Sequence, residues 1–79
     1  MIVEQHKSGE LQIFASDEDL EVLIANLNHL LQRKTDHFHL FSESWGGHDI
    51  EDATISPNAS SIPHIKFYSK DQIRLNTQE

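Results

Sequence analysis

Apolar residues recur along this chain with two different periods, one helical and one typical of strands. The helical run consists of Leu20, Leu23, Ile24, Leu27, Leu30 and Leu31. Their spacing places them on a single stripe of an α-helix. Ser16 and Asp19 can exchange the reciprocal hydrogen bonds of a capping box at the start of this helix, and Arg33 and Lys34 suit its negative end. The pattern predicts a helix over about residues 17–33. A single stripe of under three heptads favours packing in the core over a coiled coil or a partner-binding helix.

Alternation of apolar and polar residues predicts strands at Leu11–Phe14, His37–Phe41 and His64–Tyr68. Residues 2–6 are a further extended segment that can pair with residues 11–14. Gly9 lies in the turn between them and can adopt a positive φ.

The segment 42–61 is polar and irregular, and it contains the only tryptophan, Trp45, followed by Gly46-Gly47. The sequence Ala-Thr-Ile at residues 53–55 predicts a brief strand within this segment. A connection of this length in a compact domain is often functional, and the alternative is a flexible crossover. Ile73 and Leu75 predict a short additional segment, and we expect residues 76–79 to fray.

The order strand, strand, helix, strand, strand predicts one α+β domain over residues 1–79. It would be a two-layer sandwich in which a small, mainly antiparallel sheet of about four strands carries one amphipathic helix on one face. Several strand orders satisfy this pattern. The residues expected under the helix are Leu11, Ile13, Phe38, Leu40, Ile65 and Phe67. The residues expected on the opposite face are Phe14, His37, His39, Phe41, His64, Lys66 and Tyr68.

That opposite face is aromatic and weakly charged, a composition typical of the centre of a protein–protein interface. The predicted partner-binding residues are His37, His39, Phe41, Trp45, His64 and Tyr68. Two alternatives leave no free interface. The 42–61 segment could fold over the face with Trp45 on top, or two copies of the chain could associate through it as a homodimer.

Charge narrows the classes of partner. The 79 residues carry 13 acidic and 6 basic side chains, a formal net charge of −7. This argues against nucleic acid and against an anionic membrane surface, both of which attract basic proteins. It favours a basic protein partner, although solubility alone also explains an acidic surface. The chain has no cysteine, no apolar run that could span a bilayer and no signal-peptide pattern at its start, so we expect a cytoplasmic protein.

The six histidines raise the possibility of a metal site. His37 and His39 share a strand face, His64 could join them, and Asp36 or Asp49 could supply an oxygen ligand for zinc, nickel or copper. No catalytic pattern accompanies them. Neither a nucleophile elbow nor a phosphate-binding loop is present, so no cofactor and no enzymatic activity are expected.

Several segments together resemble a known family. They are Ser8-Gly9-Glu10-Leu11, the leucine-striped helix, Asp36-His37-Phe38-His39-Leu40 and Trp45-Gly46-Gly47. In this order they resemble the immunity protein 32 family of bacterial polymorphic toxin systems, over about residues 8–68. The resemblance implies a non-enzymatic protein that binds and neutralises a cognate toxin. The alternatives from the residues themselves are a small histidine-dependent metal-binding module and a homo-oligomeric structural domain.

Overall fold

The structure, a computed structural model, describes residues 1–73 of the chain. The strands are β1 (Ile2–Gln5), β2 (Leu11–Phe14), β3 (His37–Phe41), β4 (Ser60–Ser61) and β5 (His64–Tyr68). The helices are α1 (Asp17–Leu31), a 3₁₀ turn (Glu43–Trp45) and α2 (Lys70–Ile73). Ile73, which was expected in a separate short segment, ends α2. Leu75 and residues 76–79 lie outside the described residues.

The α+β class is confirmed, and the strands form two small antiparallel sheets. One sheet has the order β2-β1-β4, and the other pairs β3 with β5. The β1–β2 hairpin is the one expected from the sequence, and Gly9 in its turn has a φ of +97°. No helix within residues 1–73 is long and apolar enough to cross a membrane.

Local interactions explain where α1 begins and where it ends. At the start, the Ser16 N–H donates to Asp19 Oδ2 and the Asp19 N–H donates to Ser16 Oγ, each at 3.0 Å, so the predicted capping box is present. The bond from the Ser16 N–H lowers the pKa of Asp19. At the other end, Arg33 adopts a φ of +63°, and its N–H donates to the Leu30 carbonyl. This left-handed residue ends the helix at Leu31, two residues before the predicted boundary.

The buried core is small. It contains Met1, Val3, Leu30, Phe38, Leu40 and Ile50. Phe38 and Leu40 are where strand alternation predicted them. Ile50 was not predicted, since it lies in a polar segment with no period, yet a bridge to Ser42 places it in the core.

The helix does not pack as predicted. Its inward side carries Asp19, Leu23, Asn26 and Leu30. The positions one residue further along have the same spacing and are all exposed; they are Leu20, Ile24, Leu27 and Leu31. One residue corresponds to a rotation of about 100°, so most of the apolar stripe lies beside the core rather than against it. Leu30 lies in the core and Leu23 packs against it, as expected, but the expectation is wrong for the other four residues of the stripe.

The placement of several strand residues under the helix is also wrong. Leu11, Ile13 and Phe67 are exposed. They lie on the expected side of their strands, but the helix does not cover them. Ile65 is half-buried and packs against the core, as predicted.

The 42–61 segment is tied down rather than flexible. Glu4 on β1 is fully buried, and its carboxylate accepts hydrogen bonds from the Ile55 N–H, the Ser56 N–H and the Ser56 hydroxyl. Burial raises the pKa of Glu4, but the bonds from Ser56 and Ile55 outweigh it and hold the pKa below its ordinary value. Residues 53–55 form no strand, and Ile55 is exposed, so that prediction is wrong.

Candidate partner-binding face

Pairing of β3 with β5 places the predicted contact residues on one surface. The register sets His37 opposite Tyr68, His39 opposite Lys66 and Phe41 opposite His64. Because side chains alternate along a strand, these residues lie on the side away from Phe38 and Leu40. We call the set His37, His39, Phe41, Trp45, His64 and Tyr68 the histidine–aromatic face.

The rings of this face form a continuous row. The centroid of His37 lies 5.3 Å from that of Tyr68 and 5.0 Å from that of His39. His39 stacks on Phe41 and on His64, and Phe41 stacks on His64 at 4.5 Å. The Lys66 ammonium lies over the Tyr68 ring at 5.1 Å. All six residues predicted from the sequence are therefore brought together by the fold.

Trp45 lies at one end of the row. Its ring centroid is 5.3 Å from that of His64, and 56% of the residue is exposed. It therefore extends the face and does not fold over it, in contrast to the self-covering alternative. An exposed tryptophan beside a row of stacked rings is a typical anchor of a protein interface.

The two glycines after Trp45 hold it in place. Gly46 adopts a φ of +87° and donates its N–H to the Glu43 carbonyl, which closes the 3₁₀ turn. Gly47 donates its N–H to the Ser42 carbonyl and lies so close to Phe41 that a Cβ there would be 2.7 Å from the Phe41 carbonyl oxygen. Only glycine can occupy position 47, because any side chain there would clash with Phe41.

Two aspartates, Asp49 and Asp52, fix the same loop, a role that the sequence analysis did not give to either of them. Asp49 accepts a hydrogen bond from the Phe41 N–H at 3.0 Å. Asp52 accepts from both the N–H and the hydroxyl of Ser44, and the bond from that hydroxyl holds the pKa of Asp52 below its usual value. The clustering of Ser and Asp around the Trp-Gly-Gly motif was the available signal, because such side chains commonly bond to loop backbone.

The protonation of the histidine rings determines how much charge the face carries. His39 Nδ1 and His64 Nε2 share a hydrogen bond of 2.9 Å. Burial, followed by the positive charges that His37, His64 and Lys66 can carry, lowers the pKa of His39. His39 is therefore neutral at pH 7. The face is polar and aromatic with little formal charge, on a strongly acidic chain.

The two aspartates considered as metal ligands form hydrogen bonds with other protein groups instead. Asp36 Oδ1 forms a 2.6 Å hydrogen bond with His37 Nδ1, and Asp49 binds the Phe41 backbone. In the part of the chain from 1 to 73, no group of three or more His, Asp or Glu side chains is placed to hold a metal ion. His39 and His64 thus offer two nitrogens without a third ligand.

The described residues form a small α+β domain of an acidic chain, with a row of imidazole and aromatic rings on the outer side of β3 and β5. In comparisons with known proteins, the chain matches no family, no curated protein and no solved structure.

Proposed function

We propose that this protein is a non-enzymatic immunity protein that binds and neutralises a cognate bacterial toxin in the cytoplasm of the producing cell. The observation that carries the proposal is the histidine–aromatic face. Six residues from β3, β5 and the Trp45 loop form one row of neighbouring rings, most of them stacked. The sequence resemblance described above supplies the class of partner.

The face has the physical properties of a recognition surface. Stacked rings on paired strands lose little conformational freedom on binding, so their contact area contributes efficiently to affinity. The Trp45 loop is held by Gly46, Gly47, Asp49 and Asp52, which supports a preformed contact surface.

Charge supports the same class of partner. A net charge of −7 attracts a basic protein at long range, and toxins that act on nucleic acid are commonly basic. The association rate should then fall as salt concentration rises.

The direct test is co-purification with the product of the adjacent gene, followed by calorimetry. Trp45→Ala and His39→Ala should each weaken binding at least fivefold, or about 1 kcal/mol, if they are central contacts. Ile55→Ala is the matched control, because Ile55 is 59% exposed and lies in the same long segment but outside the face. It should leave the affinity unchanged.

Three results would contradict the proposal. The neighbouring product could fail to bind, or it could bind without any toxicity to be neutralised. Binding could also survive both face variants with their folding intact, which would move the interface elsewhere.

A further inference from the structure

The two ends of the histidine–aromatic face differ in whether a cation already lies on their rings. At one end the Lys66 ammonium lies over the Tyr68 ring at 5.1 Å, so this face already accommodates a positive charge against an aromatic ring. At the other end Trp45 has His64 as its ring neighbour, and 56% of the tryptophan is exposed. Within residues 1–73, no lysine or arginine lies over the indole. The ring type that attracts cations most strongly is therefore the one left open.

The segment that carries Trp45 has formal charges of one sign only. Residues 35–65 contain five aspartates and glutamates and no lysine or arginine. Three of these carboxylates belong to the loop around the tryptophan, namely Glu43, Asp49 and Asp52, and none of the three forms a salt bridge within the described part of the chain. Asp49 and Asp52 accept hydrogen bonds from uncharged groups, which leave their negative charge uncompensated. The exposed indole therefore lies in a negative potential.

The rings behind Trp45 do not oppose a cation. His39 Nδ1 and His64 Nε2 share a hydrogen bond of 2.9 Å, which exists only while one of the two nitrogens carries no hydrogen. The pair therefore cannot be doubly protonated without losing this contact. Burial, followed by the positive charges that His37, His64 and Lys66 can carry, keeps His39 neutral at pH 7 by lowering its pKa. The centre of the row thus carries no full positive charge.

We propose that the Trp45 end of the histidine–aromatic face binds an arginine side chain of the protein partner, with the guanidinium stacked on the indole and its charge balanced by the carboxylates of the surrounding loop. This assignment rests on the proposed function, because it specifies which group of a basic partner the face recognises. Arginine fits the site better than lysine does. A guanidinium is flat and weakly hydrated, so it can lie against a ring and still donate hydrogen bonds from its edge, whereas an ammonium is a compact and strongly hydrated charge.

Other occupants match the charge of this site less well. An apolar side chain could cover the indole, but it would leave the carboxylates of the loop without a counter-charge. A second copy of this chain would bring the same acidic loop towards another chain of net charge −7. Like charges brought together across an interface oppose binding. A cationic group with a flat surface satisfies both the ring and the carboxylates.

The test uses two capped tetrapeptides of equal charge, acetyl-tetra-arginine amide and acetyl-tetra-lysine amide, titrated into the whole chain at constant ionic strength. Trp45 is the only tryptophan of the chain, so its emission reports binding at this site. We expect saturable binding of both peptides, with the arginine peptide bound at least about fivefold more tightly. Since the two peptides carry the same charge, long-range attraction cannot produce this difference.

Three variants separate stacking from charge, with binding followed by the amide NMR signals of Gly46 and Gly47. Trp45→Leu keeps an apolar side chain but removes the ring, so the preference for arginine should disappear. Glu43→Gln removes a charge from the same turn and should weaken both peptides by a similar factor, which preserves the preference. Ile55→Ala is the matched control, because Ile55 is 59% exposed in the same long segment but outside the face. It should change neither affinity.

Three results would overturn the arginine site. They are no saturable change in Trp45 emission up to millimolar peptide, equal affinity for the two peptides, and an arginine preference that survives Trp45→Leu in a folded protein. Failure of the proposed function gives a different pattern. An arginine preference in a chain that does not bind the product of the adjacent gene would keep the site and remove the immunity role. A toxin that is bound and neutralised, although the peptides are not distinguished, would keep the role and remove the site.

Discussion

Replacing Gly47 by alanine tests how the Trp45 loop is seated on β3. The new Cβ would lie 2.7 Å from the carbonyl oxygen of Phe41 and in contact with its Cβ. Because backbone atoms are involved, no side-chain rotation relieves the clash, and either the strand or the loop must move. Overpacking of this kind costs about 1–3 kcal/mol. We place Gly47→Ala at the upper end, which lowers the melting temperature by roughly 10–20 °C for a domain of this size.

Two other glycines provide matched controls for the same substitution. Gly9 and Gly46 have φ values of +97° and +87°, and a Cβ at either position would meet nothing within 4 Å. Alanine there introduces only the strain of a left-handed conformation, about 1 kcal/mol. Urea denaturation of the three variants should therefore rank Gly47→Ala as clearly the least stable. A Gly47→Ala protein as stable as Gly9→Ala would refute the close approach to Phe41.

Fluorescence adds a local readout. Trp45 lies two residues before Gly47, next to His64. Gly47→Ala should change its emission in the folded state, whereas Gly9→Ala should not. An unchanged spectrum in both would mean that the loop absorbs the extra methyl group without moving.

Three further predictions concern stability. Arg33→Gly should stabilise the protein by about 0.5–1 kcal/mol, because Arg33 adopts a φ of +63° where glycine has no penalty; a loss of stability in urea would contradict this. Ser16→Ala should cost about 1 kcal/mol by removing the bond to the Asp19 N–H, and circular dichroism should show an earlier thermal transition. Because the pKa of His39 is lowered, the unfolded chain binds more protons between that value and about pH 6.5. Stability should fall as pH drops below about 6.5, and His39→Gln should flatten that slope.

The sequence predicted local features well because each depends on neighbouring residues. The capping box of Ser16, the Gly9 turn and the faces of β3 and β5 all follow from spacing within a few positions. The histidine–aromatic face followed from alternation alone. Trp45 joins this face only because its loop bends back towards β5. The sequence signal for that bend is the pair of glycines that follows Trp45.

What the sequence could not supply is the orientation of α1. Periodicity identifies an apolar stripe, but a rotation of one residue decides whether Leu20 or Asp19 meets the core, and this depends on tertiary packing. Ile50 was missed for a related reason, since a single buried residue in a polar loop has no period. The split into two sheets was equally hidden, because strand faces do not determine which strands pair.

The partners of Glu4 affect the order in which a nascent chain can assemble. Its carboxylate is bonded to Ser56, and β1 gains its second neighbour only at Ser60–Ser61. The hairpin and α1 can form as soon as they leave the ribosome, but these long-range contacts must wait until most of the chain has been made. Until then, one edge of β1 remains unpaired and open to wrong partners. In a nascent chain, the pairing of β1 with Ser60–Ser61 must therefore follow the hairpin and α1, and the pairing of β3 with β5 must follow later still, because His64–Tyr68 is made after Ser61.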